Sequence, residues 1–201
     1  MDNPYLYITI SLEIFGALIS LILVICLIAG DNHHDKLNRL FMIFTMCNMV
    51  NLFSDAMSNI FRDYNTIPAF VIVRIGNFLM YCLGYCTATV FTDYFITFVG
   101  RRAEVSRKIV HVMYGICGFA VLMVIISQFN GMYYEFVEPN VYTRGDLFWL
   151  SQGLGISQMA MIMVIILCYH KYLRIHELLL FLSYVIFPFI AVIIQLFVYG
   201  L

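Results

Sequence analysis

Along the 201-residue chain, polar residues gather in short clusters separated by long apolar runs. The runs cover about 6–29, 39–59, 68–99, 109–128, 147–169 and 177–200. Each reaches the roughly 20 residues that a helix needs to cross a hydrocarbon core ~30 Å thick. The pattern predicts an all-α fold, a polytopic bundle of six spanning helices forming a single transmembrane domain over 1–201, with no soluble domain. The third run is too long for the core alone. At ~1.5 Å per residue it must tilt or project into water. No internal repeat or low-complexity tract interrupts the series.

Composition agrees with this pattern. Hydrophobic residues make up 63% of the chain and charged ones 11%, and mean hydropathy is +0.91. A soluble domain carries roughly 25% charged residues, so lipid must be part of the solvent here. A net charge of −1 gives no basic face for nucleic acid. The start, Met1-Asp2-Asn3-Pro4, lacks the positive charge of a signal peptide, so the first run is expected to be retained as a span.

Basic residues are distributed unevenly between the connections. Lys36, Arg39, Arg101, Arg102, Arg107, Lys108, Lys171 and Arg174 fall in the first, third and fifth connections. Only Arg62 and Arg144 fall in the others, and Arg74 lies within a span. The excess of positive charge predicts that the odd connections face the cytoplasm and the N-terminus faces outward. Six spans then place the C-terminus outside.

The ionisable residues inside the spans are Glu13, Asp55, Arg74 and Asp93. Each costs a few kcal/mol unless paired or hydrated. Glu13, Asp55 and Arg74 fall at similar levels in the outer half, and Asp93 sits at the cytoplasmic end of span three. Asn48, Asn51 and Asp55 share one face of span two by their i, i+3, i+7 spacing, and Arg74, Asn77, Tyr81 and Tyr85 share one face of span three. The two stripes are expected to face each other, with Arg74 paired to Asp55 or Glu13 and Asn51 and Asn77 completing the network. Such a network is either glue that sets helix register or a ligand or ion site open to the outside.

Residues 129–146 are aromatic and acidic, with turn formers at Asn130-Gly131, Pro139-Asn140 and Gly145-Asp146. A short hairpin on the membrane is expected there, serving as an interfacial aromatic belt or as the cover of a site. Cys82 and Cys86, four apart, read as small packing residues rather than a redox or metal pair. His33-His34-Asp35 lacks a third ligand for a metal. Ser151, Gln152, Ser157 and Gln158 read as helix-contact residues, and Pro188 is expected to disturb span six. No catalytic motif, cofactor motif or metal motif is present.

Three stretches carry a resemblance: Val73-Arg74-Ile75-Gly76-Asn77-Phe78 through Asp93-Tyr94, Gly131-Met132-Tyr133-Tyr134 with Asn140-Val141-Tyr142, and Ser183 through Pro188 and Gln195 to Leu201. Together they resemble the N-terminal, seven-helix-like membrane region of bacterial signalling proteins, whose output is a GGDEF diguanylate cyclase or a histidine kinase of a two-component system. The resemblance implies a multi-pass sensor in the bacterial cytoplasmic membrane that works as a homodimer. It also implies a seventh helix and an output domain, missing from this chain or supplied separately, so a fragment or truncated product is expected. The expected signal site is Glu13, Asn48, Asn51, Asp55, Arg74, Asn77 and Tyr81, with Asp93, Pro188 and Gln195 transmitting. The rival expectation is a small transporter or ion channel using the intramembrane acids, although no inverted repeat is visible.

Overall fold

The computed structural model describes residues 4–30, 35–137 and 140–197, with side chains described from residue 6 to residue 190. His33, His34 and the side chain of Gln195 lie outside the described residues. Helices α1 (Pro4–Ala29), α2 (Lys36–Phe61), α3 (Ile67–Val99), α4 (Lys108–Asn130), α5 (Phe148–Cys168) and α6 (Ile175–Phe197) make an all-α bundle. A small antiparallel hairpin, β1 (Tyr134–Val137) and β2 (Val141–Arg144), stands between α4 and α5.

Local signals set the helix ends. The Asp35 carboxylate accepts the Leu37 N–H at 3.2 Å and starts α2. Thr66 caps α3 through the Ala69 N–H, and Pro68 sits in its first turn, where no intrahelical donor is lost. Gly131 ends α4 in the left-handed region at φ 68° and bonds back to the Ser127 carbonyl. α6 runs through Pro188 to Phe197. The proline removes the N–H that would otherwise meet the Tyr184 carbonyl.

Five helices are long and apolar enough to cross a bilayer, and α6 adds an apolar stretch over Ile175–Ile190. Their outward faces expose Leu12, Phe15 and Ile22 on α1, Phe119 and Leu122 on α4, and Val164 and Leu167 on α5. Surface of this kind is suited to lipid. Taken with their length, it marks a membrane protein.

α3 is the central element and packs against α2, α4 and α5. Near its C-terminal end Phe91, Phe95, Ile96 and Val99 join Val110 and Met113 of α4, Ile162, Ile165 and Ile166 of α5, and Phe181 and Val185 of α6. Further back, Cys82 and Tyr85 join Cys117, Ala120 and Val124 of α4 with Tyr133 and Tyr134. With 33 residues, α3 is ~50 Å long and exceeds the hydrocarbon core at one or both ends.

The α2–α3 contact is a seam of small residues. A Cβ at Gly76 would collide with Ser58 Oγ and would stand 2.8 Å from the Ser54 carbonyl oxygen. Ala56 and Ala69 are fully buried. Small residues let helix backbones approach closely in lipid. Replacing Gly76 by Val should therefore cost about 1–3 kcal/mol, the typical penalty of overpacking, measured as unfolding in mixed detergent micelles. Gly84 has open space around it, and Gly84→Ala should raise stability by up to about 1 kcal/mol, the usual gain on removing a mid-helix glycine.

Candidate functional site

The polar face of α3 does not meet α2. It meets the hairpin. The Tyr81 and Tyr142 hydroxyls are 2.7 Å apart, and the Tyr81 ring stacks on Tyr134 at 5.0 Å and 15°. Tyr134 also stacks on Tyr142 at 5.7 Å, meets Phe136 edge-on at 5.6 Å, and takes the Gln128 amide on its hydroxyl. Burial pushes the Tyr134 hydroxyl up to about 12, so it stays protonated at neutral pH. One turn deeper, Tyr85 donates to the Ser151 carbonyl of α5 at 2.9 Å. The hairpin is thus fixed to α3 by aromatic stacking and one hydroxyl pair.

Arg74 stands at the N-terminal end of this face. Its guanidinium carbon lies 4.2 Å from the Phe70 ring centroid and 5.2 Å from that of Phe136. Cation–π contacts of this kind orient a guanidinium without neutralising it. Arg74 and residues of the α4 end and the hairpin line a cavity of about 350 Å³, among them Gln128, Asn130, Tyr134, Glu135 and Phe136. Among the described residues Arg74 makes no ion pair.

This corrects the expected pairing of Arg74 with Asp55 or Glu13. Asp55 turns to α1 instead. Asn59 Nδ2 lies 3.4 Å from Asp55 Oδ1 and 3.5 Å from Glu13 Oε2, and the two carboxyl groups are within hydrogen-bonding reach of each other. Asn48 follows the same direction and donates to Ser20 of α1 at 3.3 Å. The reason is the seam. Successive residues turn ~100° around a helix. With Ser54 and Ser58 against Gly76, Asp55 and Asn59 are rotated away from α3, and Arg74, two residues before Gly76, falls on the far side of α3.

The expected bridge of Asn51 and Asn77 is not formed either. Asn77 donates to the Val73 carbonyl of its own helix at 2.8 Å, and Asn51 Oδ1 is buried without a hydrogen-bond partner among the described residues. The structure therefore divides the expected site in two, Glu13–Asp55 with Asn48 on the α1–α2 side and Arg74–Tyr81 under the hairpin. Asn59 was missed, and Tyr134 and Phe136 were not singled out within the hairpin expected to cover a site. The i+4 spacing from Asp55 to Asn59 was the available signal for the first.

The other end of α3 holds an ion-pair hub. Asp93 is 7% exposed. Its Oδ1 accepts from Thr97 Oγ1 at 3.2 Å and lies 3.4 Å from Lys36 Nζ and 3.6 Å from Arg107 Nη1. The start of α2, the end of α3 and the start of α4 are joined through one carboxylate. Neighbouring arginines are also paired. Arg101 meets Asp35 at 2.5 Å and holds that carboxyl below its usual range. Arg102 makes a two-pronged contact with Glu177 of α6 at 2.5 and 2.7 Å. A cavity of about 780 Å³ opens beside Arg101, Arg102 and Arg107.

Other candidates are placed as follows. Cys86 Sγ stands 3.8 Å from Cys117 Sγ, and all six cysteines are free thiols. Gln158 is buried and donates to Thr89 at 3.3 Å, and Ser151 is buried against α3 through Tyr85. Among the described residues, no three His, Cys, Asp or Glu side chains converge as a metal site requires. No known protein family matches this chain, nor does any curated protein or solved structure.

Removing the Asp93 carboxylate leaves two cations facing a buried position. Asp93→Ala should lower stability by about 1–3 kcal/mol, below the full cost of breaking a buried pair, because Lys36 and Arg107 are 39% and 50% exposed. Unfolding in mixed micelles measures it, and Asp93→Glu should recover part of the loss.

Proposed function

We propose that this chain is the membrane-embedded input region of a bacterial signalling protein, with the hairpin-capped Arg74 cavity as its receiving end. The observation that carries this reading is a single unbroken helix, α3, that bears the cavity at one end and the Asp93 hub at the other. The excess of basic residues around the hub supports a cytoplasmic position for it, with the cavity turned outward. An occupant that alters the contacts of Arg74, Phe136 and Tyr81 would move the hairpin relative to α3. Because the hairpin continues directly from α4, that motion would shift α4 against α3 and load the Arg107–Asp93 pair. Signalling then requires two packings that the occupant binds with different affinity. The output, a cyclase or a histidine kinase in a dimer, belongs to the same proposal.

Hydrogen exchange in nanodiscs tests the link. Tyr81→Phe with Tyr142→Phe removes the hydroxyl pair and loosens the hairpin. The amides of Arg101, Arg102 and Ala103, which bond to the last carbonyls of α3, should then exchange several-fold faster, each tenfold corresponding to about 1.4 kcal/mol. Unchanged exchange at these three amides, with faster exchange in the hairpin, would remove the signalling reading.

One observation favours a transporter or channel instead. Glu13, Asp55 and Asn59 bring two acids together between α1 and α2, and intramembrane acids of this kind mark ion or proton paths. Liposomes loaded with a pH-sensitive dye separate the two readings. The sensor reading predicts no proton flux above empty liposomes, whereas flux abolished by Asp55→Asn would establish transport.

A further inference from the structure

Among the described residues, the charges lining the Arg74 cavity are two and opposite. Arg74 and Glu135 are both exposed side chains on its wall. They form no ion pair with each other, and neither pairs with any other described residue. This sets them apart from the arginines at the other end of the bundle. Arg101, Arg102 and Arg107 each face a carboxylate there.

Both charges are held where they are. Phe70 and Phe136 sit against the guanidinium at 4.2 and 5.2 Å, and the Glu135 side chain packs over Gly131, which caps α4. Between them lie amide groups with spare capacity. Gln128 spends its nitrogen on the Val124 carbonyl and the Tyr134 hydroxyl, and Asn130 spends its oxygen on the Met132 N–H. The Gln128 oxygen and the Asn130 nitrogen are outside these bonds. Phe129, Tyr134 and Phe136 supply apolar wall.

We propose that this cavity binds a zwitterion, its oxyanion on the Arg74 guanidinium and its ammonium on the Glu135 carboxylate. A guanidinium fork matches the two oxygens of a carboxylate or phosphate. A ligand with only one charge would leave the opposite wall charge unpaired. The volume, about 350 Å³, is at the lower end of the ~300–1,000 Å³ of small-molecule sites. Two sources carry this chemistry at a membrane surface, a free amino acid and the headgroup of a zwitterionic phospholipid. The proposal rests on the sensor reading only in turning the cavity toward the outer solution.

The test is calorimetric titration of the full chain in nanodiscs made solely of anionic phosphatidylglycerol, with L-phenylalanine as the zwitterionic probe. 3-Phenylpropionate and phenethylamine serve as the single-charge probes. Saturable binding of phenylalanine, with each single-charge probe at least about tenfold weaker, supports a free zwitterion. Arg74→Gln and Glu135→Gln should each lose about tenfold, at unchanged melting temperature. If phenylalanine does not bind, discs containing phosphatidylethanolamine decide the matter. Stabilisation of the wild-type chain but of neither variant assigns the site to the lipid headgroup. The absence of both phenylalanine binding and lipid stabilisation overturns the proposal, as does binding of 3-phenylpropionate equal to that of phenylalanine. Binding without any change in exchange at Arg101–Ala103 would leave the zwitterion site standing and remove its signalling role.

Discussion

A charge placed in hydrocarbon costs several kcal/mol unless it finds water or a partner, and α3 carries two. Arg74 and Asp93 are 19 residues apart on one continuous helix, which is ~28 Å along the axis and close to the thickness of a hydrocarbon core. One helix can therefore hold both charges at the two faces of a bilayer. Each is met by different means. Asp93 is surrounded by cations from α2 and α4. Arg74 lies against the rings of Phe70 and Phe136 and opens onto a cavity. The excess length of α3 makes room for both arrangements.

The directions of Asp55, Asn59 and Arg74 follow from the seam between α2 and α3. Gly76 accepts the Ser54–Ser58 face of α2, and this fixes the rotation of both helices. Asp55 and Asn59 then have only α1 to turn to, and Arg74, Tyr81 and Tyr85 turn to the hairpin and α5. α1, which packs chiefly on α2, is tied to the bundle through Asn48–Ser20 and the Glu13–Asp55–Asn59 cluster. Polar groups bridging helices in lipid contribute about 0.6 kcal/mol each on average.

Much of this was legible in the sequence, for definable reasons. Apolar runs of twenty residues have few alternatives to helix, and the excess length of the third run is plain from counting. The hairpin was legible from its turn formers, Asn130-Gly131 and Gly145-Asp146. The stripes were legible as stripes, because 3.6-residue periodicity assigns side chains to one face. Periodicity does not say which neighbour that face meets. The pairing of Arg74 with Asp55 or Glu13 came from similar depth, opposite charge and two polar stripes avoiding lipid, and it gave no weight to the small residues that decide the close approach. Ser54, Ser58 and Gly76 held that information. Reading them first would have turned Asp55 toward α1. The Asp93 hub was half legible. Its depth beside basic loops was visible, but its partners depend on where α2 and α4 begin.

The account stands on a link between the two ends of α3, and the most direct measurement follows both ends at once. Arginine side chains labelled with ¹⁵N give separate guanidinium signals for Arg74 and Arg107 in nanodiscs. With the zwitterion that binds, L-phenylalanine or phosphatidylethanolamine, added in steps, both signals should shift and saturate at the same concentration, the first from contact with the occupant and the second from repacking against Asp93. A saturating shift of Arg74 with Arg107 unmoved would contradict that link.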